Sequence, residues 1–178
     1  KKTYEDGYRP TYWHNFLSVF KDYIVDNLPD VNWTKYQENK HMNYTEIPNN
    51  EHIMIRGYFQ HPDYISETRE EFRNILFSET EKMFLNKYDF NNTCSIHFRL
   101  GDYKFVKTIS TLPDEYYIKA IKSLDLKNKL ILVFCEKDDL YSVMKRVNTY
   151  PLNNPIVYVC EQNMPDYMEF TLMSLCRM

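Results

Sequence analysis

The stretch Cys94-Ser95-Ile96-His97-Phe98-Arg99-Leu100-Gly101-Asp102-Tyr103 joins an apolar run to a compact group of polar side chains. The alternation over residues 93–98 predicts a short β-strand, and Gly101 permits a tight turn directly after it. The strand therefore brings three polar side chains to its carboxyl end: His97, Arg99 and Asp102. In open α/β sheets, ligands bind at this edge.

These three side chains suit a phosphorylated ligand. Arg99 offers a planar fork of donors to phosphate oxygens. Asp102 can accept a hydrogen bond from a ribose hydroxyl or orient Arg99. His97 can donate a hydrogen bond to a phosphate or ribose oxygen. The alternative is structural, with an ion pair between Arg99 and Asp102 and with His97 capping the strand.

Downstream of residue 92, short apolar runs alternate with helical patterns. The predicted strands are 93–98, 130–135 and 156–160, and the predicted helices are 114–124, 138–147 and 165–178. Apolar strands separated by helices require right-handed crossovers and a parallel sheet. We therefore predict an α/β fold in which residues 92–178 form a Rossmann-like region.

Residues 1–91 predict a mainly helical N-terminal region. The spacing of Trp13, Phe16, Leu17, Phe20, Ile24 and Leu28 predicts a helix over residues 12–27 with these side chains in the core. Residues 42–47 and 52–58 are candidate strands, and residues 66–86 form a candidate helix. Five side chains are expected on the buried side of that helix: Phe72, Ile75, Leu76, Met83 and Leu85.

Composition excludes several classes of function. The net charge of -3, without a long basic run, offers no surface for nucleic acid. No apolar run approaches the ~20 residues that cross a bilayer, and no signal-peptide pattern opens the chain, so we expect a cytoplasmic protein whose membrane anchor, if any, lies outside this chain. The four cysteines are too widely spaced for zinc and are expected to be reduced and packed. Only three glycines are present, which excludes a Gly-rich phosphate loop.

Several blocks of the sequence resemble the α-1,2-fucosyltransferase family (glycosyltransferase family 11). The run from His97 to Tyr103 resembles its His-x-Arg-Arg-Gly-Asp-Tyr block, and Tyr116-Tyr117-Ile118-Lys119-Ala120-Ile121 resembles its Tyr-Tyr-x-x-Ala-Ile helix. Residues 57–60 resemble the segment ahead of that block, and residues 166–176 resemble its Asp-x-x-x-x-x-x-Met-Ser-Leu-Cys helix. Residues 9–13 are similar to viral and algal members. The matches follow the order of the family over most of the chain.

The resemblance implies an inverting glycosyltransferase with a two-domain, GT-B-like fold, in which residues 1–91 face the acceptor and residues 92–178 bind the donor. It would move L-fucose from GDP-fucose to the 2-hydroxyl of a terminal β-galactoside, without a metal or other cofactor. His97, Arg99 and Asp102 would bind the donor, and Arg99 would stabilise the charge that grows on the departing diphosphate. Glu136 is expected to accept hydrogen bonds from guanine or ribose, whereas Asp138 is a candidate helix N-cap.

The chain departs from the family pattern in three ways. Leu100 stands where the family has its second Arg, the opening Gly-Gly-x-Gly-Asn-Gln turn is absent, and the sequence stops before a Ser-rich, Trp-containing block. We interpret the chain as a fragment of a longer protein from an AT-rich genome, in keeping with its many Lys, Asn, Tyr, Ile and Phe residues. Two alternatives are a catalytically silent nucleotide- or glycan-binding module of that fold and another nucleotide-using enzyme. The acceptor base stays open among Asp63, Glu67 and residues outside this chain.

Overall fold

The computed structural model describes residues 3–4, 7–8, 12–14, 17–38, 43–106 and 110–177, without the side chains of residues 3, 4, 7, 8, 72, 75–81 and 102. The chain divides into two compact units, Lys1–Ser78 and Glu79–Met178. This division falls within a helix and precedes the boundary that the sequence predicts between residues 91 and 92.

The first unit contains two pairs of strands. β1 (Thr3–Tyr4) pairs with β2 (Gly7–Tyr8) in antiparallel orientation. β3 (Thr34–Gln37) pairs with β4 (Ile53–Arg56) in parallel orientation. The strand predicted within residues 52–58 is therefore confirmed as β4.

The candidate strand over residues 42–47 does not form in its described part. Residues 43–47 form no strand, and residue 42 lies outside the described residues. β3 forms instead in a polar stretch, where the backbone N–H of Thr34 donates to the carbonyl of His52 and that of Glu38 donates to Arg56. Because only main-chain groups make these bonds, β3 can form although its polar side chains show no strand pattern.

The α-helix predicted over residues 12–27 is wrong. The described residues there form a 3₁₀ helix, Ser18–Tyr23, with no buried side chain. Ile24 and Leu28, expected in the core, are 52% and 57% exposed, and residue 16 lies outside the described residues. An apolar stripe stabilises a helix in a protein chiefly when another surface covers it.

The helix predicted over residues 66–86 is confirmed as α1 (Arg69–Leu85). Its buried face near the C-terminus differs from the prediction, because Met83 and Leu85 are exposed whereas Phe84 is 3% exposed. Successive helical side chains point about 100° apart, so burial of Phe84 turns its two neighbours toward solvent. The side chains of Phe72, Ile75 and Leu76 are outside the described part.

The second unit is built on a three-stranded parallel sheet, which confirms the predicted alternation of strands and helices. The strands, in sheet order, are β5 (Thr93–His97), β6 (Leu130–Phe134) and β7 (Ile156–Tyr158). The helices are α2 (Asp114–Ser123) between β5 and β6, α3 (Leu140–Val147) between β6 and β7, and α4 (Asp166–Leu175) after β7. Further 3₁₀ helices span Pro62–Tyr64, Phe90–Asn92, Gly101–Lys104, Lys137–Asp139 and Val159–Gln162.

The central strand β6 is buried on both faces. On one face, Ile131 and Val133 belong to a core cluster that includes side chains of α2 and α3. On the other, Leu132 and Phe134 belong to a cluster that includes side chains of α1 and α4. Helices on both faces leave the carboxyl ends of the strands as an open edge of the sheet. Among the described residues, no helix has both the length and the apolar character needed to cross a membrane.

Candidate functional site

A cavity of about 220 Å³ opens at the carboxyl edge of the parallel sheet. Its walls come from the ends of β5 and β6 and from helix α4. Phe134 and Met173 supply apolar surface. The polar part of the lining consists of five side chains that can carry charge: His97, Arg99, Glu136, Asp166 and Glu169.

The structure brings three of the four predicted site residues to this cavity. His97 is the last residue of β5 and lies opposite Phe134, the last residue of β6. Because the two parallel strands end at the same level, Arg99 and Glu136, each two residues beyond a strand end, reach the same cavity. Asp102 lies in the 3₁₀ helix that follows, and its side chain is outside the described part.

Arg99 is held between an acidic and an aromatic neighbour. Its Nη1 lies 3.6 Å from Oε1 of Glu136, and its Cζ lies 4.7 Å from the ring centroid of Tyr103. The Arg99 and Glu136 side chains are 42% and 61% exposed, so solvent screens their attraction. An anionic ligand can therefore replace Glu136 as the partner of the guanidinium at small cost.

His97 is kept neutral near pH 7 by its surroundings. Although solvent reaches this residue, the protein around it lowers its pKa, first by desolvation and then by the nearby Arg99 cation. Glu136 acts in the opposite direction. A neutral imidazole can donate one hydrogen bond and accept another, which suits a ligand that carries both oxyanions and hydroxyls.

The end of β5 is fixed by an aromatic contact from α2. The hydroxyl of Tyr117 donates to the carbonyl of His97 at 3.2 Å, and the ring stacks on Phe98 with centroids 4.4 Å apart. The position of Tyr116 and Tyr117 at the start of a predicted helix indicates that both pack between helix and sheet. Tyr117 is 6% exposed, whereas Tyr116 is 54% exposed, so only the second tyrosine packs between helix and sheet.

A buried carboxylate, that of Asp139, anchors the loop that follows β5 through hydrogen bonds. Asp139 is 2% exposed and accepts hydrogen bonds from the backbone N–H of Gly101, at 3.0 Å, and from Nζ of Lys104. The prediction that Asp138 caps the next helix is wrong, because Asp138 lies inside the 3₁₀ helix Lys137–Asp139 and the residue preceding α3 is Asp139. The Asp139 side chain makes no capping hydrogen bond to α3, since it is directed to the loop.

The turn predicted at Gly101 is confirmed by its φ of +32°. The preceding Leu100 is 5% exposed and packs in the core cluster that includes α2 and α3. Just before this turn, the side chain of Leu100 points into the core, whereas that of the preceding Arg99 lines the cavity.

Replacement of Gly101 by Ala is expected to lower the free energy of unfolding by about 1–2 kcal/mol, because a side chain disfavours this left-handed backbone conformation. A clash is not the cause, since a Cβ would lie 3.4 Å from Cγ of Glu136. Urea-induced unfolding followed by circular dichroism measures the change. Ser110→Ala, at an exposed position, serves as the control. Equal stability of Gly101→Ala and the parent protein would contradict this reading.

Glu169 is a site residue that sequence analysis missed. Burial raises its pKa to about 7, and the neighbouring carboxylates of Glu136 and Asp166 add to the shift. Asp166 precedes it by three residues, a spacing that places both side chains on the same side of α4. That spacing was visible in the sequence, but the burial that changes the chemistry of Glu169 arises only when α4 packs on the sheet.

The cavity is electrostatically divided. The end of β5 contributes the cation of Arg99 and the neutral ring of His97, whereas the end of β6 and α4 contribute carboxyl groups. The cationic side suits phosphate oxygens, and the acidic side suits hydroxyl and N–H donors. A ligand that carries both kinds of group matches this arrangement.

The cysteines show no sign of reactive thiol chemistry. All four lie in the described part of the chain and are free, and the Sγ atoms of Cys135 and Cys160 lie 3.8 Å apart. Desolvation, followed by the influence of Cys160, raises the pKa of Cys135 to about 12, which keeps this thiol protonated. Among the described residues, no three His, Cys, Asp or Glu side chains are grouped to hold a metal ion.

Comparisons of the chain with protein-family models, with curated proteins and with solved structures gave no match. Fold and site together define a mixed α/β protein with parallel sheets and a candidate ligand site at a carboxyl edge.

Proposed function

We propose that the protein is an inverting glycosyltransferase that moves L-fucose from GDP-fucose to the 2-hydroxyl of a terminal β-galactoside. The observation that carries this proposal is the convergence of His97, Arg99 and Glu136 on one cavity at the carboxyl edge of a parallel sheet. The similarity of residues 97–103 to the fucosyltransferase block supplies the choice of donor. A Rossmann-like donor half of a GT-B-like enzyme and a cytoplasmic location are part of the same proposal.

In this function, Arg99 binds the diphosphate of GDP-fucose. Negative charge grows on the diphosphate as the bond to the sugar breaks, so a positioned guanidinium stabilises the transition state more than the ground state. Its ring contact with Tyr103 restricts its orientation before the donor arrives. Arg99 thus supplies a positive charge that other transferases take from a metal ion, and we propose that no metal is required.

The other donor contacts follow from the division of the cavity. The diphosphate replaces Glu136 as the partner of Arg99, and Glu136 then accepts hydrogen bonds from guanine or ribose. His97 donates to a phosphate or ribose oxygen, and Asp102 accepts from the ribose or orients Arg99. The acceptor glycan then approaches the sugar from the opposite side, as inversion at the anomeric carbon requires.

A second candidate function is a catalytically silent nucleotide- or glycan-binding module of the same fold. The observation that favours it is the burial of Leu100 in the core. The family has an Arg at this place in its motif, so this chain lacks one cation that would bind the donor or support the site. Such a module would bind the nucleotide without transferring the sugar.

Incubation with GDP-fucose and a phenyl β-galactoside, without added metal, tests the proposal. We expect release of GDP and formation of a product whose NMR spectrum shows an α-1,2 linkage. UDP-galactose as donor serves as the control and is expected to give no product. Binding of GDP-fucose without transfer would support the silent module, and a folded protein that neither binds nor transfers would overturn both proposals.

A further inference from the structure

We propose that Glu169 is the general base that removes the proton from the attacking hydroxyl of the acceptor. This inference rests on the proposed transfer of fucose and names the residue that completes it. The sequence by itself leaves the base open. Its candidates within the chain, Asp63 and Glu67, lie in the first unit, whereas Glu169 and the residues that line the cavity belong to the second.

The position of Glu169 suits a general base. It lies on α4 and shares the cavity with Arg99, which is proposed to bind the departing diphosphate. A base must face the reacting carbon together with the group that stabilises the leaving group. Glu169 on α4 and Arg99 beyond the end of β5 line the same cavity.

Glu169 has no partner within the described part of the chain. Glu136 forms an ion pair with Arg99, and the Asp166 carboxylate accepts from the backbone N–H of Tyr167 at 2.8 Å. The Glu169 carboxyl makes no hydrogen bond or ion pair with the described residues, so it is the cavity carboxyl free to accept a proton from a ligand. A partly buried polar group of this kind gains from a hydrogen-bonding ligand.

The surroundings of Glu169 make it an effective base near neutral pH. The titratable groups that share its cavity or interact with it are His97 at the end of β5, Arg99 beyond it, Cys135 and Glu136 beyond β6, Cys160 after β7, and Asp166 on its own helix. Burial and the two neighbouring carboxylates raise its pKa to about 7. A base with a pKa near the working pH combines a substantial ionised fraction with strong proton affinity.

The step is balanced without a further reactant. The acceptor oxygen forms a bond to the anomeric carbon of fucose, and its proton passes to a carboxylate oxygen of Glu169. The bond from the anomeric carbon to the diphosphate oxygen breaks, and its electron pair leaves with GDP. Glu169 then returns the proton to solvent.

Glu169→Gln provides the test, because the amide keeps the size of the side chain and cannot take the proton. We expect kcat/KM to fall about 10²- to 10⁴-fold. For the parent protein, kcat/KM should rise with pH and level off above pH ~7, whereas the variant should lose this dependence. The Kd for GDP-fucose, measured by calorimetry, should stay within about threefold of that of the parent protein, since the base takes no part in binding the donor.

Two further measurements separate a missing base from a damaged protein. Azide attacks without a proton to lose, so Glu169→Gln should form fucosyl azide from GDP-fucose at about the rate of the parent protein. Glu115→Gln, at an exposed position of α2 outside the cavity, is the matched control and should keep the activity and pH dependence of the parent protein.

The possible failures are distinguishable. A parent protein that transfers fucose, with a Glu169→Gln variant of equal kcat/KM and unchanged pH dependence, overturns the assignment of the base alone. A variant that fails to bind GDP-fucose or to react with azide shows that Glu169 holds the donor or the fold, which also overturns the assignment. A folded parent protein that transfers nothing overturns the proposed function and the base with it.

Discussion

Replacement of Arg99 by Ala is expected to weaken the binding of GDP and GDP-fucose about 100-fold, which corresponds to about 3 kcal/mol. Among the described residues that line the cavity, Arg99 is the one side chain with a full positive charge, because the pKa of His97 is lowered. Without it, the diphosphate would face the carboxylates of Glu136 and Asp166 with no compensating charge. Calorimetry at pH 7.5 without added metal measures the difference.

Two other variants make this test specific. Arg177→Ala removes an exposed cation outside the cavity and is expected to leave the Kd unchanged. Arg99→Lys keeps the charge but not the planar fork, so we expect an intermediate Kd. Full affinity of Arg99→Ala for GDP would contradict the assignment of the diphosphate site to this residue.

Replacement of Asp139 by Ala is expected to lower the free energy of unfolding by about 2–3 kcal/mol. The change removes a buried carboxylate and leaves the N–H of Gly101 without its acceptor. The Lys104 side chain is 42% exposed, so its ammonium group regains water, which keeps the loss below that of a fully buried ion pair. Urea-induced unfolding measures the effect, and weaker GDP binding should accompany it because the same loop follows Arg99.

The neighbouring Asp138 offers a matched control for this variant. It has the same side chain and lies one residue away, but it is exposed. Asp138→Ala should therefore change the free energy of unfolding by less than about 0.5 kcal/mol. Similar losses in the two variants would contradict the view that burial and the contacts with Gly101 and Lys104 give Asp139 its importance.

The parallel sheet could be predicted because its signals are local. The five residues of β6, Leu-Ile-Leu-Val-Phe, form an apolar run typical of a strand covered on both faces, and helical patterns flank it. The turn at Gly101 was also predictable, since glycine adopts a positive φ readily. The first unit was less predictable, because the stripe over residues 12–27 depends on a covering surface that the described residues do not provide.

The candidate site shows the same contrast between local and long-range information. His97, Arg99 and Glu136 follow predicted strands directly, so the parallel topology alone brought them to one edge. Asp139 acts on residues 35 and 38 positions earlier in the chain, and no pattern in the sequence marks such a pair.

By itself, the sequence determined the order of strands and helices in residues 92–178 and the polar residues at the strand ends, since these depend on apolar runs, helical spacing and glycine conformation over a few residues. Only the tertiary structure decided that Leu100 packs inward, that Asp139 anchors the loop, and that Glu169 has a raised pKa and no partner among the described residues. The physical reason is that desolvation and long-range pairing do not exist in the extended chain. They arise only when α2, α3 and α4 pack against the sheet.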